Sequence, residues 1–222
     1  MSLLNATGLK AVIFDVDGTL VDTTYLHAVS WAAAMRQFGH RVPMAHVHRC
    51  IGMGSDHLLD KLLPEDRDRS EDEALVASHA ALMATHWRDF VELPDAVRLL
   101  AAVRARGFQV LLASSASGRD LDALLSALDH PDLDEVVTAS DVERTKPDPD
   151  LLQIALERAH LESTEAAFVG DAVWDVHASK NLGIGCVGVT CGGTSAAELR
   201  EAGADEVYAG PADLLAQVFS ST

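Results

Sequence analysis

VIFDVDGTLVDTT, residues 12–24, starts as a buried strand and ends as an acidic turn. Val12, Ile13 and Phe14 are β-favouring and apolar. Asp15, Asp17 and Asp22 then crowd three carboxylates into one short segment. Like charges that close repel, and burying them is costly. The segment is either a solvated turn or the anionic half of a site that holds something positive.

The rest of the chain decides what this strand joins. Lys10–Phe14 reads as the first strand, and Thr23 to about Phe38 as a helix stopped by Gly39. Arg49–Leu63 carries IGMGSD, a glycine-rich break between two short helical pieces. Ser70 and Glu73 have capping-box spacing, which predicts a long helix to about Phe90. Thr23–Phe90 thus reads as all-helical.

After Pro94 the pattern alternates. A helix bracketed by Pro94 and Gly107 precedes a strand at Phe108–Ala113. A helix runs to about Leu128, and a strand follows at Glu135–Thr138. Helices at Asp148–Ala159, Trp174–Asn181, Ala196–Ala202 and Ala212–Phe219 interleave with strands at Ala166–Val169, Gly185–Thr190 and Glu206–Tyr208. Such alternation predicts an α/β fold: a Rossmann-like, doubly wound parallel sheet with right-handed crossovers. An all-helical cap is inserted after the first strand. The expected division is an α/β core of residues 1–22 and 91–222 and a cap of residues 23–90.

The totals narrow the partners. Among 222 residues, 48% are hydrophobic and 23% charged, an ordinary globular balance. The formal net charge of −17 argues against nucleic acid or an anionic membrane, which need clustered Lys and Arg. A small phosphate ligand is still allowed, because local positive charge wins at contact distance. No apolar run approaches a membrane span, and MSLLNATGLK lacks the pattern of a signal peptide. Cys50, Cys186 and Cys191 are odd in number and form no CxxC, so a disulfide framework is not expected. A cytoplasmic protein is expected, as a monomer or weak homodimer.

Ligands of open parallel sheets bind beyond the carboxyl ends of the strands. Those ends carry Asp15 and Asp17, Ser114 and Ser115, Lys146 of RTKPDPD, and Gly170-Asp171 with Asp175 four residues on. Clustered carboxylates demand a cation, and all-oxygen ligation favours Mg²⁺, which usually shares its shell with a phosphate. A lysine and a serine suit the remaining phosphoryl oxygens. An aspartate can attack phosphorus and form an aspartyl-phosphate.

With these residues in order, the chain resembles the haloacid dehalogenase-like phosphohydrolases that carry a helical cap. The resemblance rests on Asp15-Val16-Asp17-Gly18-Thr19, Ser114, Lys146 in KPDP, and Gly170-Asp171-Ala172-Val173-Trp174-Asp175. It implies that Asp15 is the nucleophile and a metal ligand. Asp17 is then the general acid/base, with its backbone carbonyl on the metal. Ser114 holds a phosphoryl oxygen, and Ser115 is an alternative donor. Lys146 neutralises the phosphoryl group and pairs with Asp15. Asp171 binds Mg²⁺, and Asp175 orients that shell. A cap loop selects the leaving group in this family, which makes Arg49 and Gly52 candidates for binding substrate.

Duller readings compete. Asp22 fits a helix cap or a hinge to the insert better than a catalytic role. His46, His48 and His57 read as surface histidines, and His27 with Trp31 as core packing. Cys50 and Cys191 read as unreactive thiols. The presence of Asp17 argues against dehalogenation, and Lys61 has no sign of a Schiff-base role. Ser55 stands where sugar phosphomutases of the family place an arginine. Hydrolysis of a small phosphorylated metabolite leads. The alternatives are a phosphomutase of the same fold or, in another class, a receiver-like module that stores phosphoaspartate as a signal.

Overall fold

The computed structural model describes residues 2–219. Its sheet has six strands: β1 (Ala11–Phe14), β2 (Gln109–Ala113), β3 (Glu135–Val137), β4 (Ala166–Gly170), β5 (Gly185–Val189) and β6 (Glu206–Tyr208). All pairings are parallel, in the order β3-β2-β1-β4-β5-β6. That is a doubly wound sheet. Its order reverses between β1 and β4, and a crevice at such a switch point is where ligands bind.

Every residue of β1 and β4 is buried, as expected of strands covered on both faces. One core lies on each side of the sheet. Phe14, Val12 and Leu112 belong to one, and Ile13, Leu111 and Phe168 to the other. Burying each such side chain contributes roughly 1.5–3 kcal/mol.

Between β1 and β2 come α1 (Thr24–Gln37), α2 (Met44–Cys50), α3 (Ser55–Leu62), α4 (Asp72–Ala84) and α5 (Ala96–Ala105). The first four close around their own apolar cluster, centred on Trp31, Met35, Val47, Leu58, Leu59 and Leu75. The chain leaves and returns at one point. Val21 bridges Glu92, and the Asp22 N–H donates to the Val91 carbonyl. The remaining helices are α6 (Gly118–Ala127), α7 (Asp150–Ala159), α8 (Val173–Asn181), α9 (Ala196–Ala202) and α10 (Pro211–Leu214). No helix among the described residues is long and apolar enough to cross a membrane.

Three local expectations change. Ser70 does not open a capping box. Asp68 accepts from its N–H within a short 3₁₀ turn, and α4 starts only at Asp72. That helix stops at Ala84 rather than Phe90, because the Thr85 hydroxyl takes the Leu82 carbonyl and a 3₁₀ turn follows at Trp87–Asp89. Pro94 lies before α5, whose start is set by Asp95 in a left-handed conformation.

Candidate active site

The strand ends bring the predicted residues together. Asp15 follows β1, and the chain then turns tightly: the Gly18 N–H donates to the Val21 carbonyl and the Val21 N–H to the Val16 carbonyl. Gly18 has φ +79°, and a Cβ there would lie 2.3 Å from Thr24 Oγ1 and 2.7 Å from an Asp171 oxygen. Only glycine fits that approach. Asp171 follows β4, with Gly192 so close that a side chain would collide with the Asp171 carboxylate. Thr19 Oγ1 is within hydrogen-bond reach of both Asp15 Oδ2 and Asp171 Oδ1, at 3.3 and 3.1 Å.

Lys146 is 1% exposed, which for a lysine demands partners. Its ammonium lies 2.5 Å from Asp15 Oδ1 and 2.9 Å from Asp175 Oδ1. Asp175 also accepts the Ala172 N–H through Oδ2, while its Oδ1 meets the ammonium as an ion pair and accepts no hydrogen bond among the described residues. Asp15, Asp171 and Asp175 offer oxygens within 4.8 Å of one another.

Three buried carboxylates against one ammonium leave an anionic excess. Burial pushes Asp15 up to about 7; Lys146 opposes, and the Asp175 and Asp17 charges add to the rise. Burial and the same crowding raise Asp171 well above the carboxylate range. Lys146 is held above its ordinary range: burial opposes its charge, but Asp15 and Asp175 outweigh that. A group whose carboxylates resist ionisation at neutral pH is short of positive charge. An all-oxygen donor set of this kind suits a hard divalent cation.

Asp17 behaves differently. Its carboxylate turns away from the cluster, accepts the Thr23 hydroxyl at 2.6 Å and meets His27 Nε2 at 3.2 Å. Burial works to raise it, but His27, Thr23 and Lys146 together hold it below the ordinary value. His27 Nδ1 is in turn 3.3 Å from His79 Nε2, and His79 stacks on Trp31 with ring centroids 3.9 Å apart. His27 is therefore more than packing, contrary to the sequence reading. Its position three residues after Thr24, on the helix that opens beside the acidic turn, was the available signal. Thr23 was likewise missed. Asp22 is exposed, and no side chain caps α1.

A cavity of about 290 Å³ opens over Asp15 and Asp17, between the sheet rim and the helical insert. Ser115 lines it, and its buried hydroxyl has no hydrogen-bond partner among the described residues. Ser114 is wholly buried just behind, its hydroxyl accepting the Ala116 N–H. Gly52, at φ +95°, lines the cavity too.

Arg49 is not brought there. It pairs with Glu198 at 2.5 Å and lines a separate, larger crevice of about 570 Å³ with His48, Lys61 and Trp174. Further bonds fasten the insert to the core: the Gly54 N–H donates to the Lys146 carbonyl, the Trp174 indole to the Arg49 carbonyl, and His57 pairs with Asp148 at 2.9 Å. His48 meets the Gly192 carbonyl at 3.1 Å. His48 and His57 thus tie two parts of the molecule together rather than simply facing solvent. Burial pushes the Cys191 thiol up to about 12, which leaves it unreactive at neutral pH, and all three cysteines are free.

Comparison with known proteins identifies the family and the fold. The chain is similar to phosphoglycolate phosphatase of Shigella dysenteriae, 29% identical, with 93% of this chain and 91% of the relative covered. Similarity to the Neisseria gonorrhoeae phosphoglycolate phosphatase is 28% over 83% of this chain and 81% of that one. Among solved structures, a hydrolase from Pseudomonas syringae superposes with a TM-score of 0.89 at 33% identity, covering 93% of this chain and 96% of that one. The β-phosphoglucomutase of Clostridium difficile shares the fold, with a TM-score of 0.79 at 19% identity over 91% of this chain and 92% of that one. The family model of the haloacid dehalogenase-like hydrolases matches residues 12–189, from β1 to the end of β5, and the chain belongs to that family.

Proposed function

We propose that the protein is a divalent-cation-dependent phosphatase that hydrolyses a small phosphate monoester through an aspartyl-phosphate on Asp15. The observation that carries this reading is the buried Asp15–Lys146–Asp175 cluster, joined by Asp171, with Asp15 lining a cavity that Asp17 and Ser115 also line. In this reading residues 1–22 and 91–222 form the catalytic core and residues 23–90 the cap.

An Asp15 oxygen attacks phosphorus, and the bond from phosphorus to the leaving oxygen breaks. Thr23 and His27 hold the Asp17 carboxylate ionised, so it takes a proton from the monoprotonated ester and passes it to that leaving oxygen. Asp17 then takes a proton from a water that attacks the same phosphorus, and Asp15 is released as a carboxylate. Lys146 fixes Asp15 and offsets charge on the phosphoryl oxygens; Ser114 and Ser115 are the candidate donors to them. Mg²⁺ held by Asp15, Asp171 and the Asp17 carbonyl, with Asp175 orienting that set, would supply the missing positive charge and keep Asp15 ionised. His27 and Thr23 orient Asp17.

The purified protein should release phosphate from an activated aryl phosphate with Mg²⁺ present. Asp15→Asn should abolish the release. Metal-independent turnover, or full activity in Asp15→Asn, would sink the mechanism.

A further inference from the structure

The insert closes over the site, and its inner face is what a leaving group must meet. Trp31, Ile51, Met53, Leu58 and Val76 are its large apolar side chains. No arginine or lysine lines the cavity among the described residues. The acidic side chains that do face it are Asp15 and Asp17 on the rim, and Asp120, which also accepts the Trp87 indole N–H at 2.6 Å.

The two histidines offer little to an anion. His27 has both ring nitrogens occupied, one by Asp17 and one by His79. Burial drives His79 down to about 3, so it is neutral at physiological pH. The insert does own cations, but they face elsewhere: Arg49 is paired with Glu198, and Lys61 lies 4.9 Å over the Trp174 ring. Both line the larger crevice, which reaches the rim at Asp171 but not the chamber over Asp15 and Asp17.

We infer that the leaving group this enzyme accepts is a compact, uncharged alcohol, and that esters with a second anionic group are rejected by the chamber. The inference rests on the phosphatase reading and names its substrate class. A carboxylate on the leaving group would lie in a chamber lined by three aspartates, with the nearby Lys146 ammonium already committed to Asp15 and Asp175, and juxtaposed like charges cost several kcal/mol. A second phosphate would fare worse, which also disfavours a mutase working through a bisphosphate. The substrate class therefore differs from the one that names the 28–29% identical relatives.

Two esters of nearly equal size isolate the charge: 2-hydroxyethyl phosphate and phosphoglycolate. With MgCl₂ present, kcat/KM for hydroxyethyl phosphate should exceed that for phosphoglycolate by on the order of 100-fold. A ratio below about tenfold overturns the inference while leaving the phosphatase reading intact. So does hydrolysis of an aryl phosphate with neither small ester accepted. If no ester is turned over at all, the phosphatase reading falls and takes this inference with it. Val76→Arg places a cation in the chamber and should shrink the ratio about tenfold. An unshrunk ratio in a folded variant overturns the role of charge; if that variant does not fold, the wild-type ratio alone decides.

Discussion

The two walls of the chamber are made of opposite materials. The sheet rim presents Asp15 and Asp17, with Lys146, Asp171 and Asp175 buried behind them, held by strand ends, glycine turns and a shared threonine. The insert presents Trp31, Leu58, Val76 and a neutral His79. The first wall is costly to bury and pointless without chemistry. The second is ordinary helix packing left open on one side. On the proposed reading, reaction type and substrate choice are separate properties, carried by separate stretches of chain.

The comparison breaks first at Lys146. Lys146→Met removes the only ammonium in the cluster and leaves its carboxylates unpaired. Phosphate release should fall by on the order of 10³-fold, and stability by ~3–5 kcal/mol, read by chemical denaturation. A mild effect on both would mean that the rim is not electrostatically strained. Next comes the divalent cation. Titrating Mg²⁺ should raise the thermal midpoint, by the equivalent of ~2.7 kcal/mol at a hundredfold excess over Kd. Asp171→Asn should blunt that rise, whereas Val76→Ala on the other wall should not.

The last comparison sharpens the insert side. His79 is neutral in the fold down to about pH 3, whereas the unfolded chain protonates it near its ordinary value of 6.5. Its contribution to stability is complete above pH 6.5 and is lost as the pH falls from there toward 3, at up to ~1.4 kcal/mol per pH unit. Asp15 and Asp171, both raised, act with the opposite sign as the pH rises above the ordinary carboxylate range. The difference between wild type and His79→Phe therefore isolates the histidine. A pH-independent difference would contradict its burial as a neutral ring.

The same division explains what could be read from sequence. Strand ends lie at fixed places in a parallel sheet, so Asp15, Asp17, Lys146, Asp171 and Asp175 could be brought to one rim before any coordinates. Each also breaks a local rule: an acid beside an apolar strand, or a lysine in a proline-flanked loop at a predicted site. The insert offered no such fixed frame. Arg49 looked like an anion holder by its place near IGMGSD, yet the direction of α2 sends it to Glu198. His27 looked like packing by its four-residue spacing from Trp31, yet its ring reaches Asp17 across the hinge. Helix packing angles, rather than local pattern, decide such cases. The Ser70 capping box failed for a smaller reason: Asp68, two residues earlier, takes the N–H first.

The central claim is that the rim works through a covalent intermediate on Asp15. The most direct test is acid quenching of the enzyme during turnover of a phosphoryl-labelled ester with Mg²⁺, followed by peptide mapping. The account predicts label on the peptide that contains Asp15, formed and lost during turnover and missing in Asp15→Asn. Phosphate release with no labelled peptide, or with the label on another residue, would contradict it.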